Sequence, residues 1–263
     1  MMDAVSDSEA EEVVFMTSAQ IGKTEILLNI LGYYIDYEPS PILFVLPTKE
    51  LAEPFSKDRI APMLRDTPVL KDKVKDVKSR NSNNTILHKK FPGGQLNLVG
   101  ANSPSSLSSR PVKIVLFDEL DRFPFSAGTE GDPFNLAKKR TTTFSNKKII
   151  AVSTPTIKGV SRIEKEYNNS TMEEWNVPCP DCGSYQTLEF KRIKWPTQIN
   201  QNPRMKCSFC NKEINERDWK DQFNKGKWIR RKESKIRGFH LNELASPWRN
   251  WSQIIDDFKD ANK

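Results

Sequence analysis

The sequence predicts an α/β fold: a mainly parallel sheet flanked by helices, with a β-hairpin insertion and a small module held by four cysteines. Four short apolar runs, rich in β-branched and aromatic residues, alternate with segments of helical length. Such alternation is typical of a parallel sheet covered on both faces. All four cysteines of the chain lie between residues 179 and 210. This clustering indicates one local metal site.

The predicted strands and helices follow one another along the first 157 residues. Strands are predicted for VVFMT (13–17), PILFVLPT (41–48), KIVLFDE (113–119) and KKIIAVSTPT (147–156). Helices are predicted for TEILLNILGYYI, for KELAEPFSKDRIAPMLR with an interruption at Pro54, and for DPFNLAKKRTTTF. TILHKKFPGGQLNLVGA predicts the hairpin, because two alternating runs flank a Pro-Gly-Gly turn.

The length of 263 residues allows one main domain and a smaller one. The pattern of apolar residues changes near residue 170, where the first cysteine pair approaches. We therefore expect an α/β core over residues 1–170, a metal-binding module over 171–235 and a C-terminal helical segment over 236–263. The tail GFHLNELASPWRNWSQIIDDFKDA is expected to end in an amphipathic helix, packed by Trp248 and Trp251.

The charge of the chain is +7 and is unevenly distributed. Residues 158–263 hold 21 Lys and Arg residues against 15 Asp and Glu residues. This excess suits a polyanionic partner such as nucleic acid, and it equally suits a solvated lysine-rich surface. No apolar run approaches the roughly 18 residues of a membrane span, and the acidic start MMDAVSDSEAEE does not resemble a signal peptide. A soluble, intracellular protein is expected.

The stretch TSAQIGKTE (17–25) resembles a phosphate-binding loop, except that Thr17 stands where the motif has its first glycine. A predicted strand precedes it and a predicted helix follows, as such a loop requires. Lys23 would reach the β- and γ-phosphates, and the Thr24 hydroxyl would bind Mg²⁺. The loop backbone would surround the phosphates through Ser18, Ala19, Gln20, Ile21 and Gly22. An isolated GKT is common by chance, so the neighbouring motifs matter.

A second motif, IVLFDE, places two carboxylates at the end of a predicted strand. Asp118 would hold Mg²⁺, and Glu119 would activate the attacking water as general base. An acid pair that begins a helix after a core strand is the alternative. Together with the GKT loop, the pair predicts an NTPase of the P-loop class that hydrolyses its nucleotide.

Further polar residues extend this site. Ser153 and Thr154, in STPT at the end of the fourth strand, would sense the γ-phosphate, although Ser-Thr-Pro turns are common. Arg110 would neutralise charge on the transferred phosphoryl group, from its own or a neighbouring subunit, or else is a surface arginine beside a proline. Arg140 is a less favoured candidate for that role.

The cysteine spacing C-x2-C-x24-C-x2-C predicts a structural Cys₄ zinc ribbon formed by Cys179, Cys182, Cys207 and Cys210. A disulfide or a redox pair is the alternative, which a reducing compartment disfavours. The two histidines, His88 and His240, are interpreted as structural, because neither has an obvious catalytic partner.

Long stretches of the sequence resemble the large terminase subunit of tailed phages, in the branch of the phage lambda packaging protein. They include EEVVFMTSAQIGKTE, VSTPTIKGVSRIEKEY, VPCPDCGSYQTLEF and GFHLNELASPWRNW. The resemblance implies an ATP-hydrolysing motor that uses Mg²⁺ and pumps double-stranded viral DNA into a procapsid in the host cytoplasm. It implies a small terminase subunit and the portal as partners, a homo-oligomeric ring when active, and no membrane association.

Two family features are not matched in this sequence: an adenine-contacting motif before the first strand, and a C-terminal nuclease. The expected function is therefore the ATPase domain without endonuclease residues. A helicase-like DNA translocase and a non-hydrolysing, DNA-binding prophage remnant are the rival hypotheses.

Overall fold

The computed structural model describes residues 1–75, 84–195 and 202–261. The strands are β1 Glu12–Thr17, β2 Pro41–Leu46, β3 His88–Phe91, β4 Gly94–Gly100, β5 Ile114–Asp118, β6 Lys148–Ser153, β7 Glu173–Pro178, β8 Tyr185–Gln186, β9 Ile193–Lys194, β10 Arg204–Lys206, β11 Glu213–Asn215, β12 Lys227–Ile229 and β13 Ile236–Leu241. The helices are α1 Met2–Ser6, α2 Lys23–Asp36, α3 Lys49–Phe55, α4 Ala61–Asp66, α5 Pro68–Lys71, α6 Pro104–Ser108, α7 Pro133–Lys138, α8 Arg162–Asn169, α9 Glu216–Lys220 and α10 Trp251–Ala261.

One large sheet organises the molecule, in the strand order β12-β7-β13-β1-β6-β5-β2-β4-β3, with β8 paired to β7. The six neighbouring strands from β13 to β4 are all parallel. Every residue of β1, β5 and β6 is buried. Strands buried on both faces carry continuous apolar runs, which explains why sequence patterning located them.

Helices cover both faces of this sheet. On one face α2 packs Leu27, Ile30 and Leu31 into a cluster with Phe15 and Phe44 of the strands. A second cluster, on the other face, joins β5 and β6 to α7 and α8. The predicted α/β fold with a mainly parallel sheet is therefore confirmed.

Two local features differ from the sequence-based expectations. The hairpin β3–β4 is not separate from the main plan, because β4 pairs in parallel with β2 and extends the sheet. The interruption expected at Pro54 is present, since α3 ends at Phe55 and a π-helical turn at Ser56–Ile60 connects it to α4. Residues 236–241, expected in a helical segment, form strand β13 beside β1, and the tail helix begins only at Trp251.

The cysteine-containing module has its own small core. Strands β9, β10 and β11 form a three-stranded antiparallel sheet. Its apolar cluster contains Trp219 and also takes Trp251, Ile254 and Ile255 from the tail helix α10. Because β7 and β12 of this region belong to the large sheet, the module is continuous with the α/β core.

Candidate active site

The GKT loop connects β1 to α2 through two left-handed residues. Gln20 has φ 53° and Gly22 has φ 85°, and Gly22 is the N-cap of α2. A positive φ favours glycine, which explains Gly22. Thr17 instead lies in β1, paired with Leu241 of β13. Since extended backbone accepts any residue, the position of the missing first glycine does not need a glycine here.

The Lys23 ammonium lies where the three predicted motifs meet. It forms an ion pair of 2.7 Å with Glu119 Oε1 and donates a hydrogen bond of 2.6 Å to Thr154 Oγ1. Lys23 begins α2, Glu119 follows β5 and Thr154 follows β6. The carboxyl ends of these parallel strands meet at one edge of the sheet, which is the usual position of ligand sites in α/β folds.

Asp118 is the more buried of the two acids. Burial, and then the neighbouring Glu119 carboxylate, raise the pKa of Asp118 to about 6. Its Oδ1 atom is buried and accepts no hydrogen bond from any described residue. A buried carboxylate oxygen without a donor suits a cation ligand. Asp118 therefore fits the predicted Mg²⁺ site, and Thr24, the other predicted ligand, lines the same cleft as Lys23 and Glu119.

Glu119 adopts an uncommon backbone conformation, with φ 55°. A non-glycine residue in this region is strained by about 1–3 kcal/mol, and such strain occurs frequently at functional sites. The turn directs the carboxylate toward Lys23, and Arg122 Nε lies 3.6 Å from Glu119 Oε2 on the other side. The general-base candidate is thus held between two cations.

A cleft of about 370 Å³ opens over the loop. It contains two arginines that the sequence analysis did not propose, Arg59 and Arg122. Arg122 follows Glu119 by three residues in DELDR, so its proximity could have been inferred. Arg59 pairs with Glu25 at 3.0 Å but is distant in sequence. The lining residues are Ala19, Gln20, Gly22, Lys23, Thr24, Glu25, Arg59, Glu119, Arg122 and Thr154.

Asp121 connects the turn after β5 to the turn after β6. Its carboxylate accepts hydrogen bonds from the backbone N–H groups of Thr156, at 2.9 Å, and Ile163, at 2.8 Å. Its own N–H donates to the Ser153 hydroxyl at 3.2 Å. Burial opposes ionisation, but these donors lower the pKa of Asp121. Ser153 therefore braces the turns, whereas Thr154 contacts Lys23.

Asp121→Asn is expected to slow ATP turnover about tenfold and to leave ATP binding nearly unchanged. An amide in place of the carboxylate leaves one backbone N–H without an acceptor, which costs about 1–3 kcal/mol, and loosens the turn that carries Thr154. Steady-state kinetics with a thermal melt would measure both effects. Asp36→Asn, which breaks a surface ion pair with Lys73 at the far end of α2, is the control. Wild-type kcat in Asp121→Asn would contradict the role.

The structure does not bring Arg110 into the cleft. Its side chain is exposed on the segment between α6 and β5. Arg140 supports that segment by donating to the Ser108 carbonyl at 3.1 Å, so it is occupied away from Lys23. The role of Arg110 stays a prediction that depends on a neighbouring subunit.

The four cysteine sulfurs converge. All lie within 4.8 Å of one another, and the Cys179–Cys210 and Cys182–Cys207 pairs are each 3.9 Å apart. Four sulfurs placed about 2.3 Å from one tetrahedral zinc would be about 3.8 Å apart. The donors therefore fit the predicted zinc site.

Neighbouring groups donate hydrogen bonds to one of these sulfurs. Gln186 Nε2 donates to Cys207 Sγ at 3.1 Å, and the Phe209 N–H donates at 3.4 Å. Although burial opposes it, such donors lower the pKa of Cys207 to about 6. A stabilised thiolate is the form that binds metal.

The two histidines have structural roles, as predicted. His88 bonds Asn97 at 2.8 Å and the His240 Nδ1–H donates to the Met16 carbonyl at 2.9 Å, so both hold strands together.

Trp251 is fully buried, as expected. The expectation that Trp248 packs the tail helix is wrong, because this side chain is 68% exposed. It lies instead at the phosphate loop, against Gly22.

Comparison with known proteins decides the family. Residues 1–228 match the family described as phage terminase large subunit gpA, ATPase domain. The chain belongs to this terminase family. The match also confirms the predicted class of enzyme, an ATPase.

The terminase relatives include large subunits from two phages. The terminase large subunit of Enterobacteria phage P21 is 29% identical over 291 aligned positions, covering 100% of this chain and 45% of the relative. That of Escherichia phage lambda is 29% identical over 205 positions, covering 77% of this chain and 32% of the relative. The chain spans less than half the length of these curated relatives.

One solved structure shows the same terminase fold. The large terminase ATPase domain of Thermus phage P74-26 aligns with a TM-score of 0.52 at 13% identity, over 98% of this chain and 85% of that one. Within the described part of this terminase domain, no helix is both long and apolar enough to cross a bilayer.

Proposed function

We propose that this terminase domain hydrolyses ATP to drive translocation of double-stranded DNA during viral genome packaging. The observation that carries the proposal is that Glu119 Oε1 and Thr154 Oγ1 both lie within 2.7 Å of the Lys23 ammonium. The lysine that would bind phosphate therefore contacts both the carboxylate that would act as general base and the hydroxyl that would sense the terminal phosphate.

The residues divide the chemistry among them. The loop amides of residues 18–24 and the N-terminus of α2 would bind phosphate oxygens. Thr24 and Asp118 would hold Mg²⁺, which when bound neutralises charge on the phosphates. Glu119 would take the proton of the attacking water. Thr154 would report the state of the terminal phosphate to the turn that Asp121 braces.

Lys23 also offers a way to time the reaction. A phosphate that binds the Lys23 ammonium competes directly with the Glu119 carboxylate for it. Binding of ATP would therefore free Glu119 to act on water. Because the cation is shared in this way, substrate binding and activation of the base are linked.

Membership in the terminase family supports a proposal about partners. We propose that the domain works in the host cytoplasm as a homo-oligomeric ring on the portal of a procapsid, with the small terminase subunit. The basic residues 158–263 would face DNA, where phosphate contacts dominate affinity. The four cysteines would bind structural Zn²⁺.

A triplex-displacement assay on linear duplex DNA tests translocation. Hydrolysis with displacement of the third strand supports the proposal. Separation of a forked duplex into single strands would favour the helicase-like alternative. DNA binding with no measurable ATP binding would favour the non-hydrolysing remnant.

Arg110→Ala is expected to lower kcat at least tenfold in assembled rings while leaving the Kd for ATP unchanged, because a guanidinium from the neighbour stabilises only the transition state. Mixing this variant with Glu119→Gln chains should restore partial activity, since some interfaces then pair an intact arginine with an intact base. If the ATPase activity of the mixture does not exceed the summed activities of the two variants measured separately, the arginine is not supplied by a neighbour. Arg140→Lys, which keeps the charge behind that segment, is the control.

A further inference from the structure

We propose that Trp248 is the surface on which the purine base of the bound nucleotide stacks. The inference rests on the proposed binding of ATP phosphates by the GKT loop. It assigns a base-binding residue in the segment between β13 and α10.

Trp248 lies against the phosphate loop although it is 226 residues away from Gly22 in the chain. A Cβ added to Gly22 would lie 3.8 Å from Trp248 Cη2, an ordinary van der Waals distance. Strand β13 explains this proximity, because it runs parallel to β1 and the Ser18 N–H donates to the Leu241 carbonyl at 3.1 Å. The segment after β13 therefore emerges beside the loop after β1.

The position of the ring fits the polarity of a nucleotide. Glu119 and Thr154 reach the cleft from β5 and β6, on one side of β1. Trp248 lies in the segment that follows β13, which is on the opposite side of β1. A nucleotide whose terminal phosphate is near Glu119 and whose phosphate chain crosses the N-terminus of α2 has its base on the Trp248 side.

The backbone around Trp248 is fixed while the ring is exposed. The Lys220 ammonium donates to the carbonyls of Ser246, at 2.8 Å, and Arg249, at 2.7 Å. The Trp248 N–H donates to the Ser246 hydroxyl at 3.3 Å. Beyond it, the buried Trp251 donates its indole N–H to the Leu244 carbonyl at 3.2 Å. An exposed apolar ring on a fixed backbone, beside the loop that borders the cleft, is suited to stacking.

The chemistry of an indole face defines the ligand class. Base–aromatic stacking tolerates any base because every base has a π-face. We therefore expect Trp248 to strengthen the binding of purine nucleotides without separating ATP from GTP. The affinity for inorganic phosphate chains, which have no base, should not depend on Trp248.

The test compares ADP with pyrophosphate, which carry the same number of phosphates. Dissociation constants would be measured by calorimetry with Mg²⁺ on the full chain, for Trp248→Ala and Trp248→Phe. Trp248→Ala is expected to weaken ADP about 5- to 150-fold and to change the affinity for pyrophosphate less than twofold. Trp248→Phe should retain most of the ADP affinity.

Tyr37→Ala is the matched control. Tyr37 is 78% exposed at the C-terminal end of α2, so its ring is comparably accessible but at the far end of the same helix. The dissociation constants of ADP and pyrophosphate should both be unchanged by this substitution.

The outcomes separate the base platform from the phosphate site. Equal losses of ADP and pyrophosphate in Trp248→Ala, or no loss of either, would overturn the platform while leaving the phosphate loop intact. A wild-type chain that binds pyrophosphate as tightly as ADP would do the same. A wild-type chain that binds neither probe would overturn the proposed function as well.

Discussion

Glu119→Gln is expected to bind ATP at least as tightly as the wild-type chain and to turn it over about 100- to 10,000-fold more slowly. The rate loss is the usual contribution of a general base, since an amide cannot accept the proton of water. The affinity should not fall, because the 2.7 Å ion pair that occupies Lys23 is replaced by a weaker contact with a neutral group. More of the Lys23 ammonium is then available for phosphate.

Equilibrium binding and single-turnover hydrolysis would be measured on the same preparations. Glu38→Gln is the matched control: it also breaks a Lys–Glu pair, with Lys113, but at the amino end of β5 rather than the carboxyl end. It is expected to keep wild-type turnover. Glu119→Gln with wild-type single-turnover rates would remove Glu119 from the chemistry, and a large loss of ATP affinity would contradict the shared-cation explanation.

Cys207→Ser is expected to release zinc and to destabilise the cysteine-containing module by about 5 kcal/mol or more. Metal binding in small Cys₄ modules supplies much of the folding free energy, and the core around Trp219 is small. For a chain of this size the loss corresponds to roughly 10–20 °C in Tm. Atomic emission should find one zinc per wild-type chain and none in the variant.

A chelator provides the control for this substitution. It should lower the Tm of the wild-type chain to that of Cys207→Ser and leave the variant itself unchanged. Because Trp251 and Leu244 share the core of the module and flank Trp248 in sequence, nucleotide affinity should fall at the same time. A wild-type chain that contains no zinc and melts identically with chelator would contradict the metal site.

Sequence patterning located the central strands and the two carboxylates because each signal is local. Strands β1, β5 and β6 are buried on both faces, and each has four consecutive apolar residues. Asp118 and Glu119 follow one of them directly. The cysteine pairs were equally clear, since their spacing alone predicts two metal-binding turns.

Strand β13 could not be located in the same way. Its sequence IRGFHL contains Arg237, and only Gly238 and Phe239 are buried. Arg237 is accommodated by its ion pair with Glu173, at 2.5 Å, which is 64 residues away in sequence. A strand whose polar residue is neutralised by a distant partner leaves no alternating pattern to read.

The same reasoning applies to the polar residues that were missed. Asp121 and Arg59 are ordinary charged residues in their local sequence, and only the fold brings them to the turns and to the cleft. For Trp248 the sequence predicts packing, because aromatic residues beside a helix usually pack. Its exposure depends on where β13 ends, which the sequence did not reveal.

The place of β13 has a consequence for how the chain folds. His240 bonds the carbonyl of Met16 across 224 residues, so β1 lacks its neighbour on that side until these intervening residues have been synthesised. At about 5–20 residues per second, this delay is on the order of 10–45 s. During that time β1 has an open edge, which is prone to pair with other chains. The strand that leads into the phosphate loop is thus made long before its β13 side is paired, and a chain shortened to residue 228 would keep that edge open permanently.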